Sequence, residues 1–227
     1  MRCSASDLSL QVQQPIIYLI TSGATNPQTT PASEAFAGIL KLVSVAVAAK
    51  VSLIQLREKL LSARVLFELT TQAAKITRGT QTKLLVNDRA DIARGAGADG
   101  VHLTELSLRA AAIRRTFGPN FLIGVSTHSL EQARAARDDN ADFAVWGPVF
   151  ATESKNIYGE PQGVGKLAEL AQKLDPFPIV ALGGVKIDDV AECVAAGAKG
   201  IAGISLFQNL ESLPLMVSSI RDAFQER

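Results

Sequence analysis

Gln55, Arg57 and Lys59 stand two residues apart in the run Val51-Ser-Leu-Ile-Gln-Leu-Arg-Glu-Lys59. Side chains of an extended chain alternate with a period of two, so one amide and two cations share a side. On a parallel barrel strand that side faces inward and toward the C-terminal mouth where ligands bind, and the trio reads as an anion grip. The plainer alternative is strand-end charge facing solvent. Asp88 closes Leu84-Leu-Val-Asn-Asp88. It suits a hard cation such as Mg2+, which takes oxygen ligands and keeps waters beside phosphate oxygens. Capping the next helix is an equally good use for it.

These residues need elements to hold them. Eight short apolar runs are expected as strands: Ile16–Thr21, Val51–Lys59, Lys83–Asp88, Gly100–Leu103, Phe121–Thr127, Phe143–Phe150, Pro178–Gly184 and Gly200–Ser205. Longer segments with apolar residues at helical spacing follow them: Ala32–Lys50, Ser62–Arg78, Ala90–Gly95, Leu108–Phe117, Ser129–Asn140, Gly163–Leu174, Ile187–Ala196 and Leu210–Phe224. Such alternation calls for a parallel sheet, and 227 residues fit an α/β fold of the (β/α)8 TIM-barrel type. An open, doubly wound sheet is the alternative, but no G-x-G-x-x-G follows the first strand. Residues 1–14, polar and rich in Ser and Gln, read as a flexible N-terminal extension, and 15–227 as one barrel domain.

Composition narrows the function classes. A net charge of +1 with interspersed signs gives no nucleic-acid surface and no polybasic membrane patch, so any anion preference must be local. The two cysteines, Cys3 and Cys193, form neither a disulfide framework nor a zinc spacing, which fits a reducing cytoplasm. No apolar stretch reaches membrane-spanning length. Phosphorylated small molecules are the expected partners, and homo-oligomerisation stays open.

In a barrel the other strand ends converge on the same mouth: Thr21, His102, Ser126 and His128, then Thr152, Ser154 and Lys155. Gly183-Gly184 and Gly203-Ile204-Ser205 follow strands seven and eight, where barrels hold a phosphate on backbone N–H groups. Plain turn glycines are the alternative. His128 reads as an acid/base or as a polar residue opening a helix, His102 as structural. Phe143 and Trp146 read as packing residues, and Glu58 and Glu153 as solvated partners of neighbouring cations.

The chain resembles the thiamine phosphate synthases, in the superfamily they share with TenI-type thiazole tautomerases. The likeness runs from Ile16 to about Phe224. It is carried by Gln-Leu-Arg-Glu-Lys at 55–59, Asn-Asp-Arg at 87–89, Gly-Ala-Asp-Gly-Val-His-Leu at 97–103 and Gly-Val-Ser-Thr-His at 124–128. Gly-Pro-Val-Phe-Ala-Thr-Glu-Ser-Lys at 147–155, Ala-Leu-Gly-Gly-Val at 181–185 and Gly-Ile-Ser at 203–205 complete it. The resemblance implies a transferase of thiamine biosynthesis, joining a hydroxymethylpyrimidine diphosphate to a thiazole phosphate with release of pyrophosphate. It implies that Gln55, Arg57, Lys59, Asn87, Ser126 and Lys155 bind the pyrimidine diphosphate, with Arg57, Lys59 and Lys155 stabilising departing charge. Thr152, Ser154, Gly184, Ile204 and Ser205 would contact the thiazole phosphate, and Asp88 would bind Mg2+. One position departs: where the synthases read Gly-Gln-Glu-Asp, whose Asp is a second metal ligand, this chain reads Thr104-Glu105-Leu106-Ser107. A tautomerase using His128, needing no metal, and a non-catalytic phosphate binder are the alternatives.

Overall fold

The computed structural model describes residues 15–151 and 160–225. Its strands are β1 (Ile16–Ile20), β2 (Leu53–Leu56), β3 (Lys83–Asn87), β4 (Gly100–Leu103), β5 (Leu122–Thr127), β6 (Phe143–Trp146), β7 (Ile179–Ala181) and β8 (Gly200–Gly203). All neighbours pair in parallel and β8 closes onto β1, so the barrel is complete and the open-sheet alternative is excluded. The helices are α1 (Glu34–Ala48), α2 (Ala63–Thr77), α3 (Ala90–Ala96), α4 (Ala110–Phe117), α5 (Leu130–Asp138), α6 (Gly163–Leu174), α7 (Val190–Ala195) and α8 (Leu213–Gln225). Two short 3-10 turns, 187–189 and 205–207, precede α7 and α8.

Strands buried on both faces read as unbroken apolar runs, and β1, β2, β4 and β6 are buried at every position. Parity divides their side chains between two cores. Tyr18, Leu53, Leu85, Phe143, Val145, Val180 and Ala202 fill the barrel interior. Ile17, Leu19, Ile54, Leu84, Ala144 and Trp146 pack between barrel and helices. Phe143 and Trp146 are thus packing residues on opposite faces of one strand, as their sequence setting suggests.

Helix starts follow local chemistry. Ser62 and Ser129 accept hydrogen bonds from the N–H groups of Val65 and Gln132 and so cap α2 and α5. The segment expected as a helix from Ile187 opens instead with its 3-10 turn, held by the Asp189 carboxylate on the Lys186 N–H at 2.8 Å. The strand expected to run to Lys59 ends at Leu56, and Lys59 already belongs to the turn closed by the Leu61 N–H on the Glu58 carbonyl. Among the described residues no helix is long and apolar enough to cross a membrane.

Candidate active site

Strand register decides which polar groups meet. Gln55 lies beside Leu85 on β3, Asn87 beside His102 on β4, and His102 beside Gly124 on β5. All have interior parity, as do Arg57, Lys59, Ser126 and His128 beyond or along their strands. Gln55, Arg57, Lys59, Asn87, Ser126 and His128 accordingly line one cavity of about 480 Å³ at the C-terminal mouth. Gly183 and Ile204 border it from the loops after β7 and β8.

Within the cavity Gln55 is 1% exposed, and its Nε2 donates to Asn87 Oδ1 at 2.9 Å. Its Oε1 is buried without a partner among the described residues, an arrangement that costs free energy until something donates to it. His102 is buried, with Nε2 2.9 Å from Ser126 Oγ and Nδ1 3.1 Å from Tyr18 Oη. Burial first, and the positive charge of Arg57 second, lower its pKa to about 3, so the ring is neutral in working conditions. Burial likewise raises the Tyr18 phenol well above its ordinary value. His128 Nδ1 lies 2.5 Å from the Gly147 carbonyl oxygen. A carbonyl only accepts, so that nitrogen carries the proton.

Glu58 departs from its expected solvated pairing. It is 3% exposed and points to the other side of the β2 tip from Arg57 and Lys59. Its carboxylate accepts from the Gly23 N–H at 3.2 Å, the Thr25 N–H at 3.3 Å and the Thr25 hydroxyl at 2.7 Å. The loop after β1 is thereby tied behind the cationic tip, and Thr21 adds a 2.8 Å bond from the Arg57 N–H to its Oγ1. A smaller cavity of about 360 Å³ lies behind Glu58, against α1. Exterior parity was the sequence signal for this role. The expected ion pairing concealed it.

Asp88 has exterior parity too, is exposed, and takes a left-handed φ of 61°. It is not a helix cap: Arg89 occupies the cap position of α3 and no side chain closes it. Ser107 does not supply a cavity ligand either, because its Oγ accepts from the Thr104 N–H at 2.7 Å in a local turn. Glu105, two residues earlier, lines the cavity. Among the described residues no cluster of three or more His, Cys, Asp or Glu side chains is assembled.

The glycines after β7 serve the backbone directly. A Cβ at Gly184, whose φ is 67°, would stand 2.4 Å from the Ala151 carbonyl oxygen. Val149 and Phe150 donate to the carbonyls of Leu182 and Gly183, both at 2.9 Å. The two loops can therefore lie flat on each other only where the side chain is absent. Ser205 starts the 3-10 turn after β8 and is exposed. Thr152, Glu153, Ser154 and Lys155 lie outside the described residues.

A family model described as thiamine monophosphate synthase matches residues 17–207. The chain belongs to the thiamine monophosphate synthase family. Its sequence is 37% identical over 206 residues to the thiamine-phosphate synthase of Methanoregula boonei, covering 91% of this chain and 90% of that one. It is 41% identical over 166 residues to that of Moorella thermoacetica, covering 73% and 79%. Thiamine phosphate pyrophosphorylase from Pyrococcus furiosus superposes with a TM-score of 0.78 at 27% identity, over 96% of this chain and 98% of that one. Family membership thus rests on sequence and on the eight-stranded architecture together.

Proposed function

We propose that this chain is a thiamine phosphate synthase. It couples 4-amino-2-methyl-5-hydroxymethylpyrimidine diphosphate with (carboxy)thiazole phosphate, giving thiamine phosphate and pyrophosphate, and CO2 as well where the thiazole carries the carboxylate. The observation that carries the reading is the composition of the cavity. Two cations, Arg57 and Lys59, line it together with Gln55, a buried amide whose oxygen has no partner among the described residues. A molecule with a diphosphate at one end and an amino-bearing ring at the other matches that polarity. Gln55 Oε1 would accept from the amino group, and Arg57 and Lys59, with Lys155, would hold the diphosphate.

The chemistry asks little covalent help of the protein. The bond between the pyrimidine methylene carbon and the diphosphate oxygen breaks, and its electron pair leaves with pyrophosphate. The thiazole nitrogen lone pair then forms the new C–N bond. Arg57, Lys59 and Lys155 stabilise the charge that grows on the leaving oxygens, and Asn87 and Ser126 hold the substrate in register. Thr152, Ser154, Gly184, Ile204 and Ser205 form the thiazole phosphate contacts. The exposed Asp88 carboxylate, which caps no helix and stands outside the cavity lining, would be the protein group offered to Mg2+, an ion that takes oxygen ligands and keeps waters. When bound, the ion would supply further neutralisation of diphosphate charge. Among the described residues Glu105 is the carboxylate that lines the cavity, and Ser107 contributes none.

Incubating the purified protein with both substrates and Mg2+ should yield thiamine phosphate and pyrophosphate in equal amounts. Faster isomerisation of the carboxythiazole phosphate without pyrophosphate would make it a tautomerase. Ligand binding with neither product would make it a non-catalytic barrel.

A further inference from the structure

The barrel interior holds a polar chain that the coupling chemistry does not use. Tyr18 on β1 is wholly buried, and its ring meets Phe143 edge-on at 5.6 Å and 84°. Its hydroxyl lies 3.1 Å from His102 Nδ1, and His102 Nε2 lies 2.9 Å from Ser126 Oγ. The space is made by the neighbouring strand: a Cβ at Gly124 would stand 2.4 Å from Phe143 and 2.8 Å from His102 Nδ1. Three residues separated by 84 and 24 positions are thus held in line by strand register.

The direction of this chain follows from where its protons can go. A buried hydroxyl that fails to donate carries a desolvation penalty, and among the described residues Nδ1 is the only partner of the Tyr18 hydroxyl. Tyr18 therefore donates to Nδ1. A neutral imidazole then carries its single proton on Nε2 and donates it to Ser126 Oγ. With its oxygen already accepting, Ser126 keeps its own O–H for the cavity. The opposite tautomer would turn that proton back toward the ring and present lone pairs to an anion.

We propose that Tyr18 and His102 are positioning residues that fix the direction of the Ser126 hydroxyl, so that Ser126 donates to an acceptor atom of the bound pyrimidine diphosphate. Only the identity of that ligand rests on the synthase reading.

Nitrogen-15 NMR tests the orientation without substrate, because the chain has only two histidines and His102→Gln assigns them. The His102 ring should show a protonated Nε2 and a bare Nδ1, and Tyr18→Phe should release it into a mixture of tautomers. A protonated Nδ1 in the unmutated protein overturns the proposal, whatever the activity. In the coupled assay Tyr18→Phe should raise the KM for the pyrimidine diphosphate about fivefold, the size of one neutral hydrogen bond, with kcat nearly unchanged. His102→Gln, whose amide can replace the Nε2 donor, should retain more of this affinity than His102→Leu. Tyr18→Phe should add no further loss to Ser126→Ala, since Tyr18 acts only through that hydroxyl. Independent, multiplying losses would also overturn the proposal. Failure of the unmutated protein to form thiamine phosphate would remove the synthase reading, while the tautomer result would still decide the relay.

Discussion

The two faces of the β2 tip carry opposite charges to opposite ends. Arg57 and Lys59 look into the cavity, whereas Glu58, between them in sequence, is 3% exposed and clamps the loop after β1. Ion pairing along the chain would have tied the carboxylate to one of the two cations. Alternation instead sends the cations to the cavity and the carboxylate to backbone N–H groups, where a charge-assisted bond is stronger than an exposed pair. Cavity lining and loop anchoring are therefore separated by a single residue step.

Substitutions on the two faces should fail in different ways. Arg57→Ala should lower kcat/KM about a thousandfold by removing a charge donor to the leaving group, with a smaller fall in melting temperature than Glu58→Ala causes. Steady-state kinetics beside a thermal melt checks both halves. Glu58→Ala should reverse the pattern, destabilising the fold by roughly 3 kcal/mol because three donors lose one buried acceptor. Hydrogen exchange at Gly23 and Thr25 should rise with it, and an unaltered exchange rate there would dissolve the contrast. Ser129→Ala, away from both faces, should cost only about 1 kcal/mol through the lost α5 cap, read in urea titration.

The barrel's neutral histidine sharpens the same contrast through pH. His102 has a pKa of about 3 in the fold against an ordinary 6.5, so between these values the unfolded chain binds the extra proton. Stability from this group is therefore present above 6.5 and declines as pH falls toward about 3. Urea midpoints across that window should flatten in His102→Gln relative to the unmodified chain.

Much of this was legible in the sequence. Short apolar runs alternating with amphipathic segments specified the barrel, and the two-residue spacing of Gln55, Arg57 and Lys59 specified which way they face. Helix ends were less legible where a 3-10 turn intervenes, as before α7, since that turn shares the helical spacing. Glu58 was misread because its three donors come from 33 to 35 residues upstream and leave no local trace. The link from Tyr18 through His102 to Ser126 was hidden for the same reason: it exists only once register brings β1, β4 and β5 together. Asp88 shows the opposite case, a motif residue whose parity and left-handed backbone turn it away from the cavity lining.

Calorimetric titration of pyrophosphate with Mg2+ into the unmodified chain and into Arg57→Ala tests most directly whether the inward face is a diphosphate grip. One saturable site should appear, weakened about a hundredfold or more in the variant, as expected for loss of a charge-assisted phosphate contact. Equal affinity in both proteins would contradict the account.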